Sequence, residues 1–155
     1  VTVTIVDSGF IYAIFDSSDG FHSVAISLIS DSAWRFYVPT VTLVEVFKLM
    51  TSKERNPTQG IGFKVKQFAQ GLRDISEKLP FELDEVTPSD HRRVVELLDA
   101  YADSGIDYVD AVVVAIAERY HTPYIMTVDQ RHFRIYRPNF EPHTFILPMF
   151  DDTRI

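Results

Sequence analysis

Two short runs of β-branched and apolar residues each end on an aspartate. Val1-Thr2-Val3-Thr4-Ile5-Val6 runs into Asp7, and Tyr124-Ile125-Met126-Thr127-Val128 runs into Asp129. Runs of that length and composition are strands. Between them, helical spacing alternates with further short extended runs. A Ser8-Gly9 turn precedes Phe10 to Phe15, with Ser8 able to cap a helix there. Helical spacing resumes from Phe21 to Ser32 through Val24, Leu28 and Ile29. Phe36-Tyr37-Val38 is a strand stopped by Pro39, and Thr40 or Thr42 can cap a helix reaching about Thr51. After a polar loop from Ser52 to Gly60, a helix from Ile61 to Leu79 carries Phe63, Val65, Phe68, Leu72, Ile75 and Leu79 as its apolar members. Phe81 to Val86 alternates as a strand. Thr87-Pro88-Ser89-Asp90 is a helix start, followed by the stripe Val94, Leu97, Leu98 and Tyr101. Ser104-Gly105 breaks that helix, and another spans Asp107 to Tyr120. Pro123 to Val128 is a strand, and Phe145-Ile146-Leu147 is the last one. Such alternation predicts an α/β fold, a parallel sheet covered on both faces. These sheets bind ligands beyond the C-terminal ends of their strands, which is where Asp7 and Asp129 stand.

The 155 residues are read as one domain, 1–155, long enough for a full core. No stretch of 18 apolar residues is present, so no membrane span is expected. Asp7 and Asp16 interrupt the apolar N-terminal segment and no basic segment leads it, a poor secretory signal. Cysteine is absent, which excludes disulfides, thiolate zinc sites and cysteine nucleophiles, and a cytoplasmic location fits.

A net charge of −7 argues against nucleic-acid binding through bulk basicity. The charge is uneven, though. Residues 74–110 hold eleven acids against three bases. Lys48, Lys53, Arg55, Lys64 and Lys66 face only Glu54 between residues 48 and 66, and Arg131, His132, Arg134 and Arg137 form a second basic cluster. Each cluster lies near a candidate acid in sequence, so a rim for a polyanion is plausible beside the plainer reading of solvated surface.

Two more acids sit in apolar helices. Glu45 lies within Val41-Thr42-Leu43-Val44-Glu45-Val46-Phe47, and Asp110 opens Asp110-Ala111-Val112-Val113-Val114-Ala115-Ile116-Ala117. A carboxylate buried without a partner costs several kcal/mol, so such acids are usually paired or bind metal. If the fold gathers Asp7, Glu45, Asp110 and Asp129, their charge calls for a hard divalent cation, magnesium or manganese. A nearly pure carboxylate site suits a phosphodiester substrate. Asp107 shares a helix face with Asp110 at i, i+3, where a cap is the better reading for Asp107 alone. Thr127 either holds a metal's water or satisfies the strand backbone.

The segments Val6-Asp7-Ser8-Gly9, Val44-Glu45-Val46, Asp110 to Arg119 and Thr127-Val128-Asp129-Gln130-Arg131-His132-Phe133 resemble the ordered motifs of PIN-domain nucleases. The VapC-type toxins of prokaryotic toxin–antitoxin modules are the nearest match, and the resemblance extends to Arg137-Pro138 and Phe145-Ile146-Leu147-Pro148. It implies a PIN-like three-layer α/β/α sandwich with a central, mainly parallel sheet. It implies a magnesium- or manganese-dependent endoribonuclease that cleaves RNA by metal-activated water, with Asp7, Glu45, Asp110 and Asp129 as the acidic quartet. Ser8, Asp107 and Thr127 are then outer-shell candidates, and Arg119, Arg131, His132 and Arg134 candidates for guiding the RNA backbone. The family also implies a homodimer and a cognate VapB-type antitoxin that pushes a peptide into the acidic groove. The competing class is a catalytically silent PIN-like module acting through protein or RNA binding. A receiver domain would want a second acid beside Asp7 and a late lysine, whereas no lysine follows Lys78. A haloacid-dehalogenase-like phosphatase would want an aspartate where Gly9 stands, and no Gly-x-Ser-x-Gly elbow supports a serine hydrolase.

Overall fold

The computed structural model describes residues 1–153. Four strands form one all-parallel sheet in the order β3-β2-β1-β4. They are β1 (Thr2–Val6), β2 (Trp34–Pro39), β3 (Phe81–Asp84) and β4 (Ile125–Met126). The helices are α1 (Ser8–Phe15), α2 (His22–Ile29), α3 (Val41–Thr51), α4 (Ile61–Glu77), α5 (Pro88–Ala100), α6 (Tyr108–Arg119) and α7 (Gln130–Phe133). A short 3-10 turn, Ala102–Ser104, precedes α6. The fold is the α/β/α sandwich expected.

The period of two along the strands divides the core into two layers. Val3, Ile5 and Tyr37 point to the layer built on α5 and α6. Val6, Phe36 and Val38 point to the opposite layer, with Phe10 and Ile11 of α1 and Val46 of α3. α6 is apolar all round, and Ala111 to Ala117 are all buried. A helix of that character has to lie inside rather than on the surface. That places its first turn, and Asp110, beside the C-terminal end of β1.

Several local expectations need correction. Neither Ser8 nor Thr40 makes a side-chain cap bond. Asp7 occupies the N-cap position of α1, while the Ser8 hydroxyl is taken by Glu45. Thr40 donates to Glu85, and Thr42 donates back to the Pro39 carbonyl. Thr87 does cap α5, in a reciprocal pair with Asp90. The buried face of α4 is only partly the one read in sequence: Ile75 is buried and Phe68 and Leu79 pack on the core, but Phe63, Val65 and Leu72 are exposed, while Lys64 and Gly71 point inward. The reason is close packing on α1, since a Cβ on Gly71 would lie 2.4 Å from the Phe15 ring. Lys64 therefore leaves the proposed basic rim. The strand expected at Phe145-Ile146-Leu147 is a single parallel bridge between Tyr124 and Ile146. Pro148 follows at once and has no N–H to extend a ladder. Among the described residues, no helix is long and apolar enough to cross a membrane.

Candidate active site

Asp7 leaves β1 with its backbone N–H on the Met126 carbonyl, 2.9 Å. Its side chain is buried, and Oδ2 accepts from the Thr127 hydroxyl at 2.8 Å. Oδ1 is buried with no hydrogen-bond partner among the described residues. Burial, and then the neighbouring charge of Asp110, push the Asp7 carboxyl up to about 7. Gly9 makes this approach possible, because a Cβ there would lie 2.3 Å from a Val128 methyl. Val6-Asp7-Ser8-Gly9 thus combines a strand end, an acid, a hydroxyl and a residue small enough to let α1 meet the segment after β4.

Thr127 joins two of the acids. Its hydroxyl donates to Asp7 and accepts from the Asp129 N–H at 2.9 Å. Thr127 therefore satisfies backbone, as one reading had it, and also fixes a carboxylate. Asp129 caps α7 by accepting from the His132 N–H at 3.0 Å, and its Oδ2 lies 2.8 Å from His132 Nδ1. Glu45, half-buried on α3, accepts from the buried Ser8 hydroxyl. Asp110 sits in the first turn of α6, whose N-cap is the exposed Asp107, accepting from the Asp110 N–H at 2.8 Å. Burial pushes the Asp110 carboxyl up to about 7, against a 2.6 Å hydrogen bond donated by Tyr136. The negative charges of Asp107 and Asp129 push in the same direction as burial.

Asp7, Glu45, Asp110 and Asp129 line one cavity of about 300 Å³. Asp110 and Asp129 of that lining, with His132 beside it, each offer a ligand atom within 4.8 Å of the others. Asp7 and Glu45 line the same cavity outside that tighter group. The donor set fits a hard divalent cation: oxygen-rich, with an unpartnered buried carboxylate oxygen and two carboxyls that burial pushes up to about 7. A larger cavity, about 510 Å³ and lined by Lys53, Pro57, Gln59 and Lys64 among others, has no carboxylate in its walls.

Not every candidate is gathered here. Arg119 lies nine residues beyond Asp110, roughly 13 Å along α6 by helical rise. Its guanidinium is committed to Asp90 at 3.1 Å and Asp84 at 3.3 Å, which argues against its guiding RNA. Arg134 pairs with Asp151 at 2.7 Å, and Arg131 is exposed. His132 stays with Asp129 and stacks on Tyr136. Sequence reasoning missed Tyr136, whose one signal is an aromatic three residues after Phe133. It also left Arg55 in a general basic cluster, although Arg55 lines the acidic cavity.

Carboxylates from strand ends and helix starts, gathered in one cavity of a parallel α/β/α sandwich, are a donor set able to hold a divalent cation. The PIN domain family matches residues 4–138, and the chain belongs to that family. Over 134 residues it is 26% identical to Ribonuclease VapC26 of Mycobacterium tuberculosis, covering 86% of this chain and 92% of that protein. Among solved structures it resembles M. tuberculosis VapC20, a Sarcin-Ricin loop cleaving toxin, with TM-score 0.68 and 15% identity over 84% of this chain and 92% of the other. A toxin–antitoxin complex from Klebsiella pneumoniae matches with TM-score 0.60 and 17% identity, covering 94% of this chain and 97% of that one. VapBC2 of Rickettsia felis, bound to a promoter DNA fragment, matches with TM-score 0.60 and 11% identity over 93% and 96% of the two chains. At these identities the structures speak for the fold.

Proposed function

We propose that this chain, as one domain over residues 1–155, is an endoribonuclease of VapC type, the toxin half of a VapBC-type module acting in the cytoplasm. The observation that carries the reading is the unpartnered Oδ1 of Asp7, buried in a cavity it shares with Glu45, Asp110 and Asp129. A buried acid left in that state, beside another with a raised pKa, marks a functional site. The PIN family and the VapC26 likeness support ribonuclease chemistry. The structural likeness to a toxin–antitoxin complex is consistent with a VapB-type antitoxin as partner. A homodimer is part of the same proposal.

The site would hold magnesium or manganese on Asp7, Glu45, Asp110 and Asp129. When bound, such an ion neutralises phosphate charge and makes water a better nucleophile. The chain's own residues set the donors. Thr127 fixes Oδ2 of Asp7, and Oδ1 is left without a hydrogen-bond partner among the described residues. Ser8 orients Glu45, and Tyr136 restrains one oxygen of Asp110. His132 and the α7 N–H hold Asp129.

The test is cleavage of a mixed cellular RNA pool with magnesium, with EDTA, and with Asp7→Asn. Discrete products only from the wild-type protein in magnesium support the reading. No cleavage together with no magnesium binding would replace it with a partner-binding PIN module. Cleavage surviving both EDTA and the substitution would place the chemistry elsewhere.

A further inference from the structure

The loop joining α3 and α4 brings Arg55 to the wall of the acidic cavity, and Arg55 is the basic residue among its described lining. Its guanidinium carbon lies 4.7 Å from the ring centroid of Tyr12, a buried side chain that also lines the cavity. Its ion pair with Asp19 is long, 3.9 Å, beyond hydrogen-bond reach. Three other arginines are committed more tightly: Arg93 to Glu118 at 2.7 Å, Arg134 to Asp151 at 2.7 Å, Arg119 to Asp90 at 3.1 Å. The Arg55 side chain remains 46% exposed. Its charge is oriented by the ring beneath it and only loosely matched.

The loop around Arg55 is held more firmly than a surface connection requires. Lys64 buries its amine beneath it and donates to the carbonyls of Ser52 at 2.9 Å and Arg55 at 2.5 Å. Burying a lysine is costly, and here the amine's hydrogen bonds go to the loop's own backbone. Asn56 adopts a left-handed φ of 48° and donates its side-chain amide to Asp16 at 3.0 Å. Asp16, itself buried, also accepts from the Tyr12 hydroxyl at 2.7 Å. One carboxylate therefore anchors both the loop that presents Arg55 and the ring on which it rests. Uncommon backbone and buried charge on either side of a single exposed arginine are signs of preorganisation.

We propose that Arg55 is a phosphate-binding residue of this groove, gripping a non-bridging oxygen of the RNA backbone across from the four carboxylates. The proposal rests on the ribonuclease reading and adds the group that lets a polyanion enter an acidic cavity. A planar guanidinium presents paired N–H donors that suit phosphate oxygens. Stacking over Tyr12 fixes its plane, and the long contact to Asp19 is one that a phosphate can replace with shorter bonds.

The experiment measures anisotropy of an end-labelled, short single-stranded RNA of mixed sequence across a salt series. Binding is read in an Asp7→Asn background, with and without Arg55→Ala, Arg55→Gln and Arg55→Lys. Cleavage is read in the Asp7-intact proteins. Loss of one phosphate contact should lower the slope of log K against log salt by roughly 0.7, the single-strand value per phosphate. Arg55→Ala and Arg55→Gln are expected to show that drop and at least a roughly tenfold loss of kcat/KM, a size typical of one charge-assisted contact. Arg55→Lys should restore the slope. The magnesium-induced rise in melting temperature should be retained or slightly larger, since Arg55 is no ligand and its removal takes a positive charge from the cavity wall. Arg55→Gln retains side-chain length, so it decides the matter if Arg55→Ala fails to fold. An unchanged slope and unchanged kcat/KM in a folded Arg55→Gln protein would overturn the proposal while leaving the ribonuclease reading intact. An Arg55-dependent slope without any wild-type cleavage would support the phosphate site and overturn the ribonuclease reading. Neither binding nor cleavage by the wild type would overturn both.

Discussion

Two acidic clusters in this protein are built in opposite ways. Around Arg119, Asp84 and Asp90 converge on one guanidinium, and the Tyr120 hydroxyl adds a hydrogen bond to Asp84. Burial opposes the charge on Asp90, but Arg119 and the Thr87 N–H overcome it and hold its carboxyl below the usual range. Around Asp7, six carboxylates (Asp7, Asp19, Glu45, Asp107, Asp110 and Asp129) line one cavity, and burial, then neighbouring negative charge, pushes Asp7 and Asp110 up to about 7. The first cluster contains its own counter-charge and is complete. Among the described residues, the second has Arg55 as the one basic group at its wall, loosely paired, and a carboxylate oxygen without a hydrogen-bond partner. Acids that serve the fold are neutralised by it, whereas acids left uncompensated point to something from outside.

The sharpest way to break this comparison is Asp7→Asn. In the Asp7 cluster it should reduce RNA cleavage to the EDTA level while raising stability, because it removes a buried, repelled charge. In EDTA at pH 8 the gain should be on the order of 1–2 kcal/mol, less than the full pKa shift would give because the amide needs partners of its own. Millimolar magnesium should raise the melting temperature of the wild type, by about 2.7 kcal/mol of stabilisation at a hundredfold excess over Kd, and should barely move Asp7→Asn. A less stable Asp7→Asn protein with an undiminished magnesium shift would show that the cluster is not strained as described.

The matching change in the other cluster is Arg119→Ala. It leaves Asp90, only 4% exposed, without its cation. Breaking a buried pair costs about 3–5 kcal/mol, and the partial exposure of Arg119 reduces the expected loss to about 2 kcal/mol. Denaturant unfolding reads this directly. Cleavage per folded molecule should hold, and a collapse of activity without loss of stability would restore Arg119 to the RNA-guiding role.

Much of this contrast was legible in the sequence, and the missing parts have physical causes. Asp7 and Asp129 were placed by strand ends, a local signal that the fold kept. Thr87-Pro88-Ser89-Asp90 was legible for the same reason, since a cap is written within four residues. The inward face of α4 was legible at Ile75 but not at Lys64 and Gly71, because the latter depends on Gly71 meeting Phe15, a contact between helices far apart in sequence. Lys64 looked like surface charge because nothing local says that its amine will find the carbonyls of Ser52 and Arg55. Tyr136 was invisible as a site residue because its partner, Asp110, lies 26 positions earlier. The pairing of Arg119 was hidden because its carboxylates arrive from β3 and α5. Chemistry at element ends can be read from one sequence, while pairing across elements cannot.

The two clusters should also respond oppositely to pH. Asp7 and Asp110 have folded pKa values near 7, above the unfolded value of 3.8. Between about pH 4 and 7 the native state therefore binds more protons than the unfolded state, and their contribution to stability falls as pH rises. Above about pH 7 it levels off. Asp90 has a depressed folded pKa, so its contribution is present above the unfolded value and is lost as pH falls through the folded one. Melting curves in EDTA from pH 5 to 8 should thus decline for the wild type and flatten in Asp7→Asn. Magnesium should flatten the wild-type decline as well, because cation binding favours the ionised carboxylates. A rising wild-type curve across that window would contradict the raised values.

The smallest effect is expected at Tyr136, where the comparison can be refined rather than broken. Tyr136 is 1% exposed and donates to an oxygen of Asp110 at 2.6 Å. That bond favours the ionised carboxylate, so it partly does for Asp110 what Arg119 does for Asp90. Tyr136→Phe keeps the ring, which packs on Phe133 and Tyr101, and removes only the hydroxyl. It should cost about 1 kcal/mol, the usual net value of one hydrogen bond, measured at pH 8 where Asp110 is charged. At pH 5 the cost should shrink, since a neutral Asp110 gains less from the donor. Magnesium affinity should fall modestly as Asp110 loses its restraint, with cleavage falling in parallel and recovering at higher magnesium. A pH-independent loss of stability with unchanged magnesium affinity would make Tyr136 a packing residue and leave Asp110 oriented by the cap of α6 alone.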